Sequence, residues 1–274
     1  MSKGNGQDLS VGIGGFGAIG INVARALDAG IPGLTLAAVS ANDREAAAGR
    51  MDGFRTKVPV VGLGDLAAQA DIVVECAPAA VFREVAVPAV EAGRIFMPLS
   101  CGQMLDNMDL VERAEETGGR IVIPTGALLG LDSVRAAGEG TIKSVTMVTR
   151  KPPSGLAGAP HLVENDIHVG DLSAPLKVFD GTARDAIKAF PANVNVAVAL
   201  SLAGIGPDRT TIEVWADPGV TRNTHTIEVV ADSVSFEMKI ENVPSKENPA
   251  TGRLTPLSTV AALRGLVSSL KVGT

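Results

Sequence analysis

The residues best suited to chemistry begin with a run of glycines near the start of the sequence. Gly15, Gly17 and Gly20 have the spacing G-x-G-x-x-G, after an apolar run at residues 9–13 and before helical spacing at residues 21–27. This order predicts strand, glycine turn and helix, the context in which the spacing indicates a dinucleotide site. The first glycine permits the tight turn, the second admits the pyrophosphate, and the third lets the helix pack against the strand. The predicted contact residues are Gly15, Phe16, Gly17, Ala18, Ile19 and Gly20. The alternative is a structural turn without a ligand.

Acid–base chemistry has few candidates, because the sequence contains only His161, His168 and His225. Histidine is the side chain best poised for proton transfer near neutral pH. His225 lies at the start of a predicted strand and is a candidate catalytic residue, the alternative being a structural histidine in that strand. His161 and His168 lie in a polar, irregular stretch and are expected at the surface. No third ligand lies near them, so we expect no metal site.

Further cofactor contacts are expected where predicted parallel strands end. The strand at residues 34–39 is followed by Ser40, where a fold specific for NAD usually carries an acidic residue. Ser40 with Arg44 just beyond would tolerate a 2′-phosphate, so the choice between NAD and NADP stays open; Arg44 is otherwise a solvated residue at a helix start. The strand at residues 71–77 is broken by Ala77 and Pro78, which should border the cofactor.

Two adjacent cations are candidates for substrate binding. Arg150 and Lys151 follow one another at the end of a predicted strand, beside a loop expected to face the domain cleft. They could hold a dicarboxylate by charge-assisted hydrogen bonds, or could simply be a solvated basic pair.

The elements that must position these residues change character along the chain. Up to Pro124, apolar strands alternate with helices, which predicts a doubly wound Rossmann domain. Beyond it, a strand at residues 141–150, two helices, and extended runs at 211–217, 223–231 and 233–241 predict an α+β domain with a mostly antiparallel sheet. The last three runs are expected to form hairpins.

A closing helix at residues 258–270 has one apolar stripe, formed by Val260, Leu263, Leu266, Val267 and Leu270. We expect it to pack back on the first domain, giving residues 1–127 plus 255–274 as the dinucleotide-binding domain and 128–254 as the substrate and dimerisation domain.

The bulk composition excludes several classes of protein. The 274 residues are 46% hydrophobic and 20% charged, typical of a globular protein. A net charge of −6, with aromatic residues at 3% and no tyrosine, argues against nucleic-acid and anionic-membrane partners. Residues 1–7 carry no apolar signal segment and read as a frayed tail, so a cytoplasmic protein is expected. Cys76 and Cys101 are too few for a disulfide framework and are expected as buried thiols.

Motifs spread over most of the chain resemble the L-aspartate dehydrogenases, which use NAD or NADP. Beyond the glycine turn, the matching motifs are residues 123–127 (IPTGA), 130–132 (GLD), 149–152 (TRKP), 190–197 (FPANVNVA), 200–204 (LSLAG), 216–218 (ADP), 223–225 (NTH), 241–244 (ENVP) and 248–249 (NP). Those beyond residue 120 are specific to the family. Ser40 and the stretch 151–170 depart from its pattern; these departures affect cofactor choice and substrate fit.

The resemblance implies a reaction and a site. Aspartate would give its Cα hydride to the nicotinamide and become iminosuccinate, which hydrolyses to oxaloacetate and ammonia and supplies NAD biosynthesis. The family's catalytic histidine falls on His225, its nicotinamide-contacting alanine on Ala127, and its cofactor asparagine on Asn195, with Asn193 a near neighbour. A homodimer is also implied. The competing hypotheses are an oxidoreductase for another amino acid or imine, and a redox-silent sensor that binds NAD(P).

Overall fold

In a computed structural model, the described residues are 8–191, 195–245 and 252–273. They form two compact units. The first contains residues up to Pro124 together with Pro256–Lys271, and the second contains Thr125–Thr255 with the last residues of the chain. The chain therefore leaves the first unit after Pro124 and returns to it through one late segment.

The first unit is built on a six-stranded parallel sheet in the order β3-β2-β1-β4-β5-β6. Its central strands are mostly apolar because helices cover both faces of such a sheet. The strands are β1 (Leu9–Gly14), β2 (Leu34–Ser40), β3 (Val60–Val61), β4 (Ile72–Glu75), β5 (Ile95–Pro98) and β6 (Arg120–Ile121). This is the doubly wound architecture expected from the alternating pattern.

Helices connect these strands, and a late helix completes the unit. They are α1 (Ala18–Asp28), α2 (Arg44–Arg50), α3 (Leu66–Gln69), α4 (Phe82–Glu91), α5 (Asp109–Thr117) and α10 (Leu254–Val267). In α10, Leu263 is fully buried in the core with Val11 and Val23, and Val267 lies against Gly33. The predicted apolar stripe is one residue too long at its C-terminal end. The helix ends at Val267, and Leu270 lies beyond it and is exposed.

The second unit carries a five-stranded mixed sheet in the order β11-β10-β7-β9-β8. Its strands are β7 (Ile142–Lys151), β8 (Leu176–Thr182), β9 (Thr210–Ala216), β10 (Thr224–Ala231) and β11 (Ser235–Glu241). All neighbours are antiparallel except β7 and β9, so the expectation of a mostly antiparallel sheet is confirmed. One expected hairpin is wrong: β9 and β10 lie on opposite sides of β7, so of the last three strands only β10 and β11 pair with each other.

One face of this sheet is covered by helices. The helices of the unit are α6 (Leu131–Gly138), α7 (Pro160–Glu164), α8 (Ala183–Ala189) and α9 (Asn195–Ala203), of which α6, α8 and α9 contact the strands. Side chains alternate between the two faces, as in β9, where every second residue from Thr210 to Ala216 is buried. Among the residues that the structure describes, no helix is both long and apolar enough to span a bilayer.

Candidate active site

The glycine turn lies between β1 and α1, and Gly15 occupies its tightest point. Its φ is +101°, and a Cβ there would lie 2.5 Å from the carbonyl oxygen of Cys76, after the end of β4. The N–H of Gly15 donates to the carbonyl of Ser40 over 3.0 Å. Only glycine fits this junction of three strand ends.

Gly17 and Gly20 have different surroundings, and the difference fits a dinucleotide. A Cβ on Gly20 would collide with the carbonyl oxygen of Gly15, so this glycine lets α1 pack against the turn. Apart from Gly17 and its two chain neighbours, no atom of the described residues lies within 4 Å of a Cβ built on Gly17, the N-cap of α1. The first N–H groups of a helix lack intrahelical acceptors, so an open glycine beside them suits a phosphate.

Phe16 and Ile19 of the glycine turn pack into the core of the first unit. The side chain of Phe16 is 3% exposed and packs edge-on against Phe54, while its carbonyl accepts from Arg50 Nη1. Core packing therefore holds the ring of Phe16, and the predicted cofactor contact of this residue stays a prediction. Ile19 is half-buried against the same core, and Ala18 begins α1.

The remaining expected contacts of this unit lie at strand ends. Ser40 closes β2 and is buried, pairing with Gly14. Arg44 begins α2 and is exposed, and the N-cap of this helix is Asp43, whose carboxylate accepts from the N–H of Ala46. Ala77 is buried and Pro78 exposed after β4. The strands β1, β2 and β4 thus end around the glycine turn.

A carboxylate that the motif analysis overlooked lies beneath this edge. Glu75, the last residue of β4, is fully buried. Its two oxygens accept from the N–H of Ala77 (2.8 Å) and from the N–H (2.9 Å) and hydroxyl (3.1 Å) of Ser100. Burial raises the pKa of Glu75 to about 7, against the lowering effect of these hydrogen bonds. An acidic residue within an otherwise apolar strand was the signal for it.

In the second unit, His225 lies on the covered face of the sheet. It is directly opposite Thr149 in the antiparallel pair of β10 and β7. Thr149 Oγ1 and His225 Nδ1 are 3.0 Å apart, and each residue is only 4% exposed. His225 is therefore held by a buried hydrogen bond that sequence spacing could not reveal, because it depends on strand register.

Lys151 shares this face with Thr149, two residues along β7. It lines a small cavity with Leu156, Phe190 and Val214 and is 4% exposed. Burial lowers the pKa of Lys151 to about 8. Burial, with the nearby charge of Lys151, lowers the pKa of His225 to about 4. At neutral pH the site therefore holds a neutral imidazole beside an amine that is mostly cationic.

Arg150 is not part of this arrangement. β7 extends through Lys151, so alternation turns Arg150 to the opposite face of the sheet. There its guanidinium pairs with Asp217 at 3.1 Å and lies 4.8 Å from the centre of the Trp215 ring. The expectation that Arg150 and Lys151 jointly hold one substrate is corrected by this geometry, because of the two only Lys151 shares a face of the sheet with His225.

The other residues expected near the nicotinamide are only partly described. Ala127 lies in a turn after Gly126, and its carbonyl accepts from Asn242 Nδ2 over 3.2 Å. Asn195 begins α9. Asn193 lies outside the described residues. Asn242, which is buried, was also overlooked and holds the Ala127 turn in place.

The other two histidines have separate environments. The ring of His161 packs against Phe179 and Phe190, so this residue is half-buried and lies only partly at the surface. His168 is highly exposed. Within residues 8–191, 195–245 and 252–273, no group of three His, Cys, Asp or Glu residues is placed to bind a metal ion. Cys101 is buried and Cys76 half-buried, and neither of them forms a disulfide.

Comparisons with known proteins are consistent along the whole chain. A family described as "Aspartate dehydrogenase, C-terminal" matches residues 132–266, and "Homoserine dehydrogenase, NAD binding domain" matches residues 15–124. An L-aspartate dehydrogenase of Bradyrhizobium diazoefficiens is 55% identical, covering 98% of this chain and 95% of its own. L-aspartate dehydrogenase 3 of Bordetella bronchiseptica is 51% identical, covering 98% of both chains.

A solved structure supports the fold independently. The crystal structure of aspartate dehydrogenase from Thermotoga maritima is similar with a TM-score of 0.76 at 23% identity, covering 97% of this chain and 100% of that one.

Proposed function

The chain belongs to the L-aspartate dehydrogenase family, and from this premise we propose that it oxidises L-aspartate to iminosuccinate with NAD or NADP as hydride acceptor. Hydrolysis of iminosuccinate then gives oxaloacetate and ammonia. The relatives reported above support the substrate, and the open Gly17 at the start of α1 supports the cofactor. The observation that carries the mechanism is the neutral, buried His225 next to Lys151.

The nicotinamide supplies the hydride chemistry when bound; the protein supplies orientation and proton transfer. Hydride leaves Cα only when the substrate nitrogen can share its lone pair, so the ammonium must first lose a proton. His225 Nε2 is the proposed acceptor, because Nδ1 faces Thr149. The protonated amine of Lys151 is proposed to hold a substrate carboxylate by a charge-assisted hydrogen bond.

The low pKa of His225 suits this role once substrate is bound. In the free site, burial and Lys151 keep the imidazole neutral and ready to accept a proton. A bound dicarboxylate brings negative charge that offsets Lys151 and favours the imidazolium. Proton transfer is therefore promoted by the substrate itself.

The test is formation of reduced nicotinamide from L-aspartate with NAD⁺ and with NADP⁺, beside D-aspartate, L-glutamate and L-asparagine. His225→Ala is expected to lower kcat about 10²- to 10⁴-fold, the range for a positioned acid–base group. Cofactor affinity should hardly change, because the glycine turn is in the other unit. His168→Ala, which removes a highly exposed imidazole, should keep full activity.

Three outcomes would redirect the proposal. A folded His225→Ala protein with unchanged kcat would remove His225 from the mechanism, and Lys151 would become the candidate base. Activity confined to another amino acid would retain the oxidoreductase and reject the substrate, while tight cofactor binding without any turnover would indicate a sensor.

The proposal also includes a cytoplasmic homodimer that supplies iminosuccinate for NAD biosynthesis, as the family resemblance implies; sedimentation of the purified chain tests the dimer.

A further inference from the structure

The contact between Thr149 and His225 defines one edge of the imidazole. The two residues are directly opposite on β7 and β10, where facing Cβ atoms are about 4.5–5.5 Å apart. The hydroxyl therefore reaches Nδ1 without bending either strand, at 3.0 Å. With Nδ1 engaged, the lone pair or proton on Nε2 is directed to the opposite side of the ring.

A neutral imidazole carries one N–H and one lone pair, and its hydrogen-bond partners decide which nitrogen carries which. A threonine hydroxyl can accept or donate, so it is compatible with either tautomer of the resting ring. The imidazolium formed by proton uptake is more demanding, because both of its nitrogens are donors. In that state Nδ1–H must have an acceptor, and Thr149 Oγ1 is the atom in place.

We infer that Thr149 is a positioning residue for His225: it accepts from Nδ1–H and thereby presents Nε2 as the proton acceptor. This inference rests on the proposed role of His225. It assigns Thr149 the place that a carboxylate has in a Ser-His-Asp triad. The two groups differ in charge, because the threonine hydroxyl is neutral and the carboxylate is negative.

A hydroxyl orients the ring without making it strongly basic. A carboxylate at the same position would favour the imidazolium and raise the pKa of His225. The neutral hydroxyl leaves the ring unprotonated beside Lys151, so basicity rises only when an anionic substrate arrives. Thr149 therefore fixes direction, while Lys151 and the substrate set the charge.

The variants Thr149→Val and Thr149→Ser form the matched pair. Valine keeps the shape but loses the hydrogen bond, and serine keeps the hydroxyl but loses the methyl group. Thr149→Val should lower kcat about 10- to 100-fold, as loss of orienting partners does at metal-bound histidines. The KM for aspartate and the cofactor Kd should stay within about twofold, and Thr149→Ser should restore most of kcat.

An activity-independent readout is the ¹⁵N spectrum of the His225 ring at pH 7, assigned by its disappearance in His225→Ala. The wild-type protein should carry its proton on Nδ1, and Thr149→Val should lose this single tautomer. In the His225→Ala background, Thr149→Val should change kcat little, because residues that act as a unit are not additive.

Each result decides the inference. A wild-type ring protonated on Nε2 would overturn it even if no Thr149 variant folds. A Thr149→Val protein with unchanged kcat and tautomer would also overturn it, as would a loss of kcat that serine fails to restore, since packing would then explain the effect. Unchanged kcat in His225→Ala would instead reject the proposed function, and the ¹⁵N spectra would still decide what orients the ring.

Discussion

At the scale of single residues, Lys151 determines how the site responds to alkaline pH. Its pKa of about 8 means that the amine loses its charge as the pH rises through that value. The KM for aspartate should therefore rise above pH 8 in the wild-type protein. Lys151→Met should raise KM about 10- to 100-fold at pH 7, the loss of a hydrogen bond to a charged group worth about 1.5–3 kcal/mol, and this difference should shrink above pH 8.

Lys151→Arg is the matched control, because the guanidinium stays charged over the whole range. Its KM should depend much less on pH above 8 than that of the wild-type enzyme. Identical alkaline profiles in the two proteins would show that Lys151 does not hold the substrate.

Glu75 determines a pH dependence of stability. Its pKa is about 7 in the folded protein and 4.5 without burial, so the folded state binds the proton more tightly. The difference adds about 3 kcal/mol to the free energy of unfolding, at 1.36 kcal/mol per pKa unit. This added stability is fully present below pH 4.5 and is lost as the pH rises through 7. Glu75→Gln should flatten the free energy of unfolding between pH 5 and 8, measured in urea. Glu84→Gln, at an exposed position, should leave the slope unchanged.

Which site residues were predictable depends on strand register. His225 could be selected from the sequence because histidines are few and the family resemblance points to it. Thr149 could not, since its contact requires knowing that β7 and β10 pair and in which register. Arg150 was misassigned because the strand was ended one residue early. Once β7 includes Lys151, the two-residue period separates the pair.

At the scale of elements, different glycines of the turn between β1 and α1 serve cofactor binding and folding. Gly17→Val should abolish dinucleotide binding, because a branched side chain would fill the pyrophosphate's approach to the backbone. The melting temperature of the apoprotein should hardly change, since a Cβ on Gly17 meets no atom of the described chain within 4 Å. Titration with NADH and NADPH by fluorescence measures the loss.

Gly20→Ala is the contrasting variant. Its Cβ would strike the Gly15 carbonyl, so both stability and binding should fall. Unaltered affinity in a folded Gly17→Val protein would mean that the fingerprint is only a structural turn.

The order of the second sheet was the least predictable element-level feature. Consecutive strands are neighbours about two-thirds of the time, which favours a β9–β10 hairpin. Here β7 takes the central place between them, and the chain crosses over it after Ala216. The residues that connect β9 to β10 carry no information about β7. That strand lies roughly sixty residues earlier in the sequence than β9, its parallel partner.

At the scale of the whole molecule, the late helix α10 belongs to the core of the first unit. Leu263→Ala should destabilise that unit by about 2–5 kcal/mol, the range for truncating a buried leucine. Leu257→Ala removes an exposed leucine of the same helix and should have little effect. The single tryptophan, Trp215, lies in the second unit, so its fluorescence separates the units during urea unfolding.

We expect Leu263→Ala to advance the far-ultraviolet circular dichroism transition relative to the Trp215 transition. Equal displacement of both would show that the two units unfold together, and no displacement would place α10 outside the stabilising core.

The fold class followed from the sequence because hydrophobic periods of two and 3.6 residues distinguish strands from helices locally. The change of rhythm after Pro124 also marked where a second architecture begins. Short polar helices such as α2 carry too weak an apolar stripe to be predicted this way, and only Ala47 of α2 is buried.

The return of the chain to its first unit also affects how the protein is made. A ribosome releases residues from the amino end at about 5–20 per second, and domains generally fold in that order. Here the first unit lacks Leu263 and its neighbours until residues 256–271 emerge, whereas the second unit then lacks only the last residues of the chain. We therefore expect the unit translated later to finish folding earlier, and the nucleotide-binding unit to depend longest on chaperones during synthesis.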